Sequence, residues 1–134
     1  MRNAAREAAL NVVFAQQFNT DCLDALKKKV FKQFKLEKEE DVLFACDLIA
    51  AVEEHRLQLI EGIENACHHY LENRINPMDK SILLIAMAEI NYFDEIPKVV
   101  SVSEATGLAR KYSTEKSADF VNGVLSGVIN TKEN

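Results

Sequence analysis

The chain has 134 residues, a 48% hydrophobic fraction, 28% charged residues and a formal net charge of -5, which is a single-domain length with a composition that excludes wholesale disorder. The acidic balance argues against a protein that coats nucleic acid through bulk charge, and no apolar run approaches the ~20 residues of a membrane span. Four Gly and two Pro leave so little punctuation that the elements must be long, which means helices rather than many short strands.

Residues 3–18 read as a first helix. Ala5, Ala9, Val12 and Val13 share neighbouring faces, and Leu10, Phe14 and Phe18 recur at i, i+4, i+8. The residues before it carry no signal-peptide apolar core. Asn19-Thr20-Asp21 reads as a turn, with Thr20 or Asp21 as the N-cap of a second helix over 22–35. Leu23, Leu26, Val30 and Phe34 face one way there, while Lys27, Lys28, Lys29, Lys32 and Lys35 crowd the rest without one acid between 27 and 35. A solvated face is the default for this lysine run, and a nucleic-acid contact through its clustered charge is the sharper alternative.

Helical period then persists over 39–72, through Leu43, Phe44, Leu48, Ile49, Val52, Leu57, Ile60, Ile63, Cys67 and Leu71. Such a length implies either one bent helix or a break near Glu53 to His55. A change of direction is expected over 73–76. Asn76-Pro77-Met78-Asp79 combines a cap, a first-turn proline and an acid at the positive end of the dipole. The helix it opens, about 77–93, is apolar on most faces and therefore central. Pro97 marks a loop, and Ser101-Val102-Ser103-Glu104 has the form of a capping box for a helix ending near Tyr112. Ser113 or Thr114 caps a last helix, roughly 116–129, with Phe120, Val121, Val124, Leu125 and Val128 inward. Gly107, Gly123 and Gly127 inside helices suggest close helix packing there. The expected architecture is all-α, six or seven helices in two packed bundles, one domain over 1–134 with halves 1–72 and 73–134.

Catalytic patterns are absent from the sequence. It holds no P-loop, G-x-G-x-x-G, H-E-x-x-H or G-x-S-x-G. His68 and His69 point about 100° apart on a helix, and Glu64 with His68 is too small a set for a specific zinc site. Cys22, Cys46 and Cys67 are scattered, which fits reduced, mostly buried thiols in a cytoplasmic protein. No enzyme, cofactor or metal is expected.

Three stretches resemble the NusB family. Ala5-Arg6-Glu7-Ala8-Ala9-Leu10 through Phe18 is similar to its opening helix. Asp41-Val42-Leu43-Phe44-Ala45-Cys46-Asp47-Leu48-Ile49-Ala50-Ala51-Val52 is similar to its D-x-x-[FY]-x-x-x-L-[IL]-x-G-V segment. The third runs from Asp79-Lys80-Ser81-Ile82-Leu83-Leu84-Ile85-Ala86 and Glu89, through Ile96-Pro97, Ser103-Glu104-Ala105 and Leu108-Ala109-Arg110-Lys111-Tyr112, to Phe120-Val121-Asn122-Gly123-Val124-Leu125. The closing F-V-N-G-V-L is the most specific piece, and the matches span nearly the whole chain in order.

That resemblance implies an all-α fold of two bundles and an RNA-binding role in transcription antitermination. The partners it implies are boxA-type RNA of ribosomal-RNA leaders, the ribosomal protein NusE, and an elongating RNA polymerase with other Nus factors, with homodimers in some members. It places RNA contacts at Arg2 and Arg6, where guanidinium groups suit phosphates and unpaired bases. It places a second RNA edge at Lys111, Lys116, Phe120 and Asn122, and the NusE contact at Asp79. For each there is a plain structural reading. The arginines can be solvated charges, Phe120 can be core, Asn122 can tie down a loop, and Asp79 can complement the helix dipole. The sequence departs from the family pattern in three places. The N-terminal arginine cluster is thin and offset by Glu7, which implies weaker RNA affinity. The family's L-R-I-A is Leu83-Leu84-Ile85-Ala86, and the Asn of its N-E-A is Ser103. Two other functions stay open, a protein-interaction module or homodimer with a weak RNA face, and an RNA-binding domain cut from an rRNA methyltransferase. The chain ends soon after the closure motif and shows no cofactor-binding segment, so a stand-alone protein is expected.

Overall fold

The computed structural model describes residues 2–19, 21–67 and 75–133, the side chains of 131–133 excepted. Expectations resting on Thr20, His68, His69, Leu71 and Asn73 fall outside that set. The described residues form seven helices and no strand: α1 (Asn3–Gln16), α2 (Leu23–Gln33), α3 (Glu39–Glu54), α4 (Arg56–Ala66), α5 (Pro77–Tyr92), α6 (Lys98–Tyr112) and α7 (Glu115–Glu133). None is long and apolar enough to cross a membrane.

Helix α5 organises the rest. The Asn76 side chain accepts the Asp79 backbone N–H at 2.8 Å, and Pro77 occupies the first turn. Capping of this kind is worth ~1 kcal/mol. Every residue from Ser81 to Ile90 is buried, and α5 packs against α1, α3, α4, α6 and α7. Fully burying each of its large aliphatic side chains contributes roughly 1.5–3 kcal/mol, an upper figure because unfolded chains already bury some surface. Its two acids, Asp79 and Glu89, are buried with it, so both require partners.

The long 39–72 period breaks at His55, one of the two alternatives the pattern left open. His55 ends α3 and starts α4, and its half-buried ring stacks on Tyr92 at 4.0 Å between centroids. Helix α2 ends in a Schellman motif. Leu36 N–H donates to Phe31 C=O at 2.9 Å and Lys35 N–H to Lys32 C=O at 3.1 Å, with Lys35 at φ 52°, the left-handed position where glycine is usual.

Three local expectations are corrected. Ser101 does not cap α6, which starts at Lys98 directly after Pro97. The proline's fixed φ suits a helix entry, so the helix forms one turn early and Ser101 lies inside it. Helix α2 has Cys22 at its N-cap with no side-chain cap bond, and Asp21 instead donates its N–H to Asn19 Oδ1 in a local turn. A Cβ added at Gly107, Gly123 or Gly127 would meet nothing within 4 Å, so these glycines mark no close packing. The tight approach is at Gly62, where an added Cβ would lie 2.8 Å from Met87 Cε. The expected cap of α7 is present, with Thr114 Oγ1 accepting Ser117 N–H at 2.9 Å.

Candidate nucleic-acid interface

The two N-terminal arginines lie one helical turn apart but in different environments. Arg2 is exposed, with its guanidinium 4.4 Å from the centroid of the Phe44 ring, which is itself edge-on to Phe93. A guanidinium resting on an aromatic ring keeps its in-plane N–H donors for other acceptors. Arg6 is 5% exposed and Glu89 2%. Arg6 Nε donates to both Glu89 oxygens at 3.1 and 3.0 Å, and Nη2 donates to Oε1 at 2.6 Å. Ser101 Oγ donates to the same Oε1 at 3.0 Å. Arg6 Nε and Nη2 are therefore engaged inside the protein, in a cluster that joins α1 to α5 and α6. Sequence reading missed Glu89 as the partner, although a lone acid in the run 81–90 was a signal that something buried must neutralise it.

Lys111 and Tyr112, at the end of α6, reach across to α1. Lys111 Nζ and the Tyr112 hydroxyl each donate to Glu7 Oε1 at 2.6 Å. Asn11 Nδ2 donates to Glu7 C=O at 2.8 Å and to the Tyr112 oxygen at 3.4 Å. Burial pushes the Glu7 carboxyl up, but the two hydrogen bonds and the Lys111 charge together outweigh it, and its pKa is lowered. The Glu7 hydrogen bond and charge hold the Lys111 ammonium above its ordinary value. Burial, then the hydrogen bond to Glu7, raises the Tyr112 phenol.

At the start of α7, Lys116 is exposed and Phe120 half-buried against the core. Both border an open cleft of ≈ 480 Å³ that also includes Ile75, Asp79 and Ser117. Phe120 thus packs against the core and also borders the cleft. Asp79, 5% exposed, accepts through Oδ2 from Asn76 Nδ2 at 3.1 Å and from Ser117 Oγ at 2.9 Å. Its Oδ1 is buried without a hydrogen-bond partner among the described residues. A carboxylate oxygen buried without a donor is costly unless something supplies one.

Lys111, Lys116, Phe120 and Asp79 are therefore gathered around the α6–α7 corner, with Lys111 tied to α1 through Glu7. Asn122 is elsewhere, exposed on a separate groove of ≈ 510 Å³ between α6 and α7 with Val99, Thr106, Arg110 and Ser126. The basic run on α2 lies apart from both clefts. Lys28, Lys29, Lys32 and Lys35 are exposed, and Lys27 is 3.7 Å from Asp24.

Comparison with known proteins agrees with this architecture. The model of the NusB family matches residues 3–130. The chain is 33% identical over 133 residues to the transcription antitermination protein NusB of Finegoldia magna, covering 99% of this chain and 96% of that one. It is 37% identical over 131 residues to the NusB of Natranaerobius thermophilus, covering 96% and 94%. A chain in the solved structure of antitermination factors NusB and NusE in complex with dsRNA superposes with a TM-score of 0.83 at 24% identity, covering 97% of this chain and 96% of that chain, which shows a shared fold.

Proposed function

This chain belongs to the NusB family, whose relatives are transcription antitermination proteins, and on that premise we propose that it binds boxA-type ribosomal-RNA leader RNA together with NusE. In this reading it joins the elongating RNA polymerase in the cytoplasm, suppresses premature termination and catalyses no reaction. The observation that carries the reading is the family match across residues 3–130. The geometry supports a location for the RNA. Arg2 on its aromatic rest, Lys111, and Lys116 with Phe120 offer exposed cations and one ring, the combination that binds phosphates and unstacked bases. Arg6 serves this edge from inside, as the residue that fixes α1 against α5. Asn122, on the neighbouring groove, would meet RNA that continues along α7. Asp79, at the border of the cleft, is the contact for a hydrogen-bond donor from NusE, which reaches the buried Oδ1 once the side chains covering that oxygen shift.

The test is a fluorescence-anisotropy titration of labelled boxA-like RNA, with and without purified NusE, at several salt concentrations. Binding should sharpen with NusE. Arg2→Ala and Lys116→Ala should each weaken it and flatten the log–log salt slope by about 0.7–0.9, one phosphate contact each. Asp79→Ala should lower NusE binding more than binding of RNA alone. No RNA binding with or without NusE would sink the RNA role. A NusE complex or a homodimer remaining intact would then favour the protein-interaction reading, to which the internal pairing of Arg6 already lends weight.

A further inference from the structure

Lys111 and Tyr112 bring an ammonium and a phenolic hydroxyl onto one anionic oxygen, Glu7 Oε1, at 2.6 Å each. Two charge-assisted donors converging on a single oxygen is also how side chains hold a nucleic-acid phosphate. The Lys111 side chain is 62% exposed and that of Glu7 17%. The cationic side of the pair is therefore open to an incoming anion without any loss of core. Asn11 holds its two bonds, to the Glu7 backbone and to the Tyr112 oxygen, so the phenol stays in place whichever anion it faces.

We propose that Glu7 is an internal stand-in for a phosphate: its carboxylate occupies the acceptor position that an RNA backbone phosphate takes when Lys111 and Tyr112 engage the nucleic acid. The proposal rests on the RNA-binding reading given above. Bound RNA displaces Glu7 toward solvent, and Lys111 and Tyr112 pass from carboxylate to phosphate. Glu7 thereby sets the affinity of this edge, because every phosphate contact made by Lys111 is made in competition with it.

Glu7→Gln keeps the size and a weaker acceptor while removing the charge. Titrations of labelled boxA-like RNA in the presence of NusE should show Glu7→Gln binding about four- to fivefold tighter at ~0.15 M salt, with a log–log salt slope steeper by about 0.7–0.9, the increment of one added phosphate contact. The double variant Glu7→Gln/Lys111→Gln should return to the wild-type slope. Circular dichroism on each variant checks that the helices are retained. An unchanged or shallower slope in Glu7→Gln overturns the proposal and makes the contact a strut between α1 and α6. A steep slope that persists in the double variant also overturns it, because the gain then comes from net charge and not from Lys111. If wild type binds RNA and Glu7→Gln binds it identically, only this proposal fails. If neither binds, the RNA-binding reading fails and this one with it.

Discussion

Removing either half of the Arg6–Glu89 pair strands a charge where water does not reach. Breaking such a pair costs about 3–5 kcal/mol, while replacing both partners by apolar residues of similar volume is often neutral. Arg6→Met or Glu89→Gln should therefore lower the unfolding free energy in urea by about that amount, and Arg6→Met with Glu89→Leu should recover most of it. Equal urea midpoints for wild type and Arg6→Met would refute the structural role. A loss of RNA binding in an Arg6 variant would then report on folding as much as on contact, which is why Arg2 is the better probe. Glu7 adds a pH dependence. With its carboxyl held below the ordinary 4.5, it stabilises the fold above that pH, and the contribution disappears as the pH falls through 4.5 toward the lowered value. Lys111, held above its ordinary 10.5, contributes below that pH and loses its effect only as the pH rises past it. Melting temperatures of wild type and Glu7→Gln, followed from roughly pH 6 to pH 3, should converge on the acid side. At this scale the sequence was least legible. Arg2 and Arg6 look alike as letters, and only the position of Glu89 on a neighbouring helix separates a surface cation from an internal one.

Helix ends and close approaches give sharper expectations at the level of elements. Lys35 holds a left-handed backbone that costs a side-chain-bearing residue roughly 1–2 kcal/mol, and its Schellman bonds are already formed. Lys35→Gly should stabilise the protein by up to about 1 kcal/mol, less than the strain released because glycine also loosens the unfolded chain. A lower melting temperature would contradict this. Gly62→Leu should destabilise by roughly 1–3 kcal/mol, since Met87 is buried and has to give way. Gly62→Ala should sit near neutral, because a methionine methyl can swing aside and alanine favours the helix. Thermal melts of the pair separate the two outcomes. The helices themselves were legible wherever a start signal and a period agreed. Asn76-Pro77-Met78-Asp79 announced α5, and Thr114 announced α7. The capping pattern at Ser101 misled because Pro97 had already begun the helix. The glycines of α6 and α7 misled because a missing side chain can face solvent as easily as a neighbour, a choice that a linear pattern does not contain.

Across the whole molecule, the all-α class followed from sparse glycine and proline together with long apolar periods. The family resemblance supplied the candidate RNA and NusE positions. Neither could show which distant residues meet at this edge, because the contacts of Glu7 with Lys111 and of Asp79 with Ser117 join residues far apart in sequence. The net charge of -5 was a weak guide for the same reason, since the local field at the α6–α7 corner depends on which cations already have partners. The unbroken burial of residues 81–90 carries a consequence for motion. A helix flanked by five others has no outer face along which to fray, so its backbone amides in that stretch exchange with solvent only when the surrounding helices part together. In deuterium exchange the slowest amides of α5 should report the free energy of global opening, falling with denaturant along the same line as the urea transition. The end of α2, with exposed neighbours on most sides, should exchange through smaller and more frequent excursions.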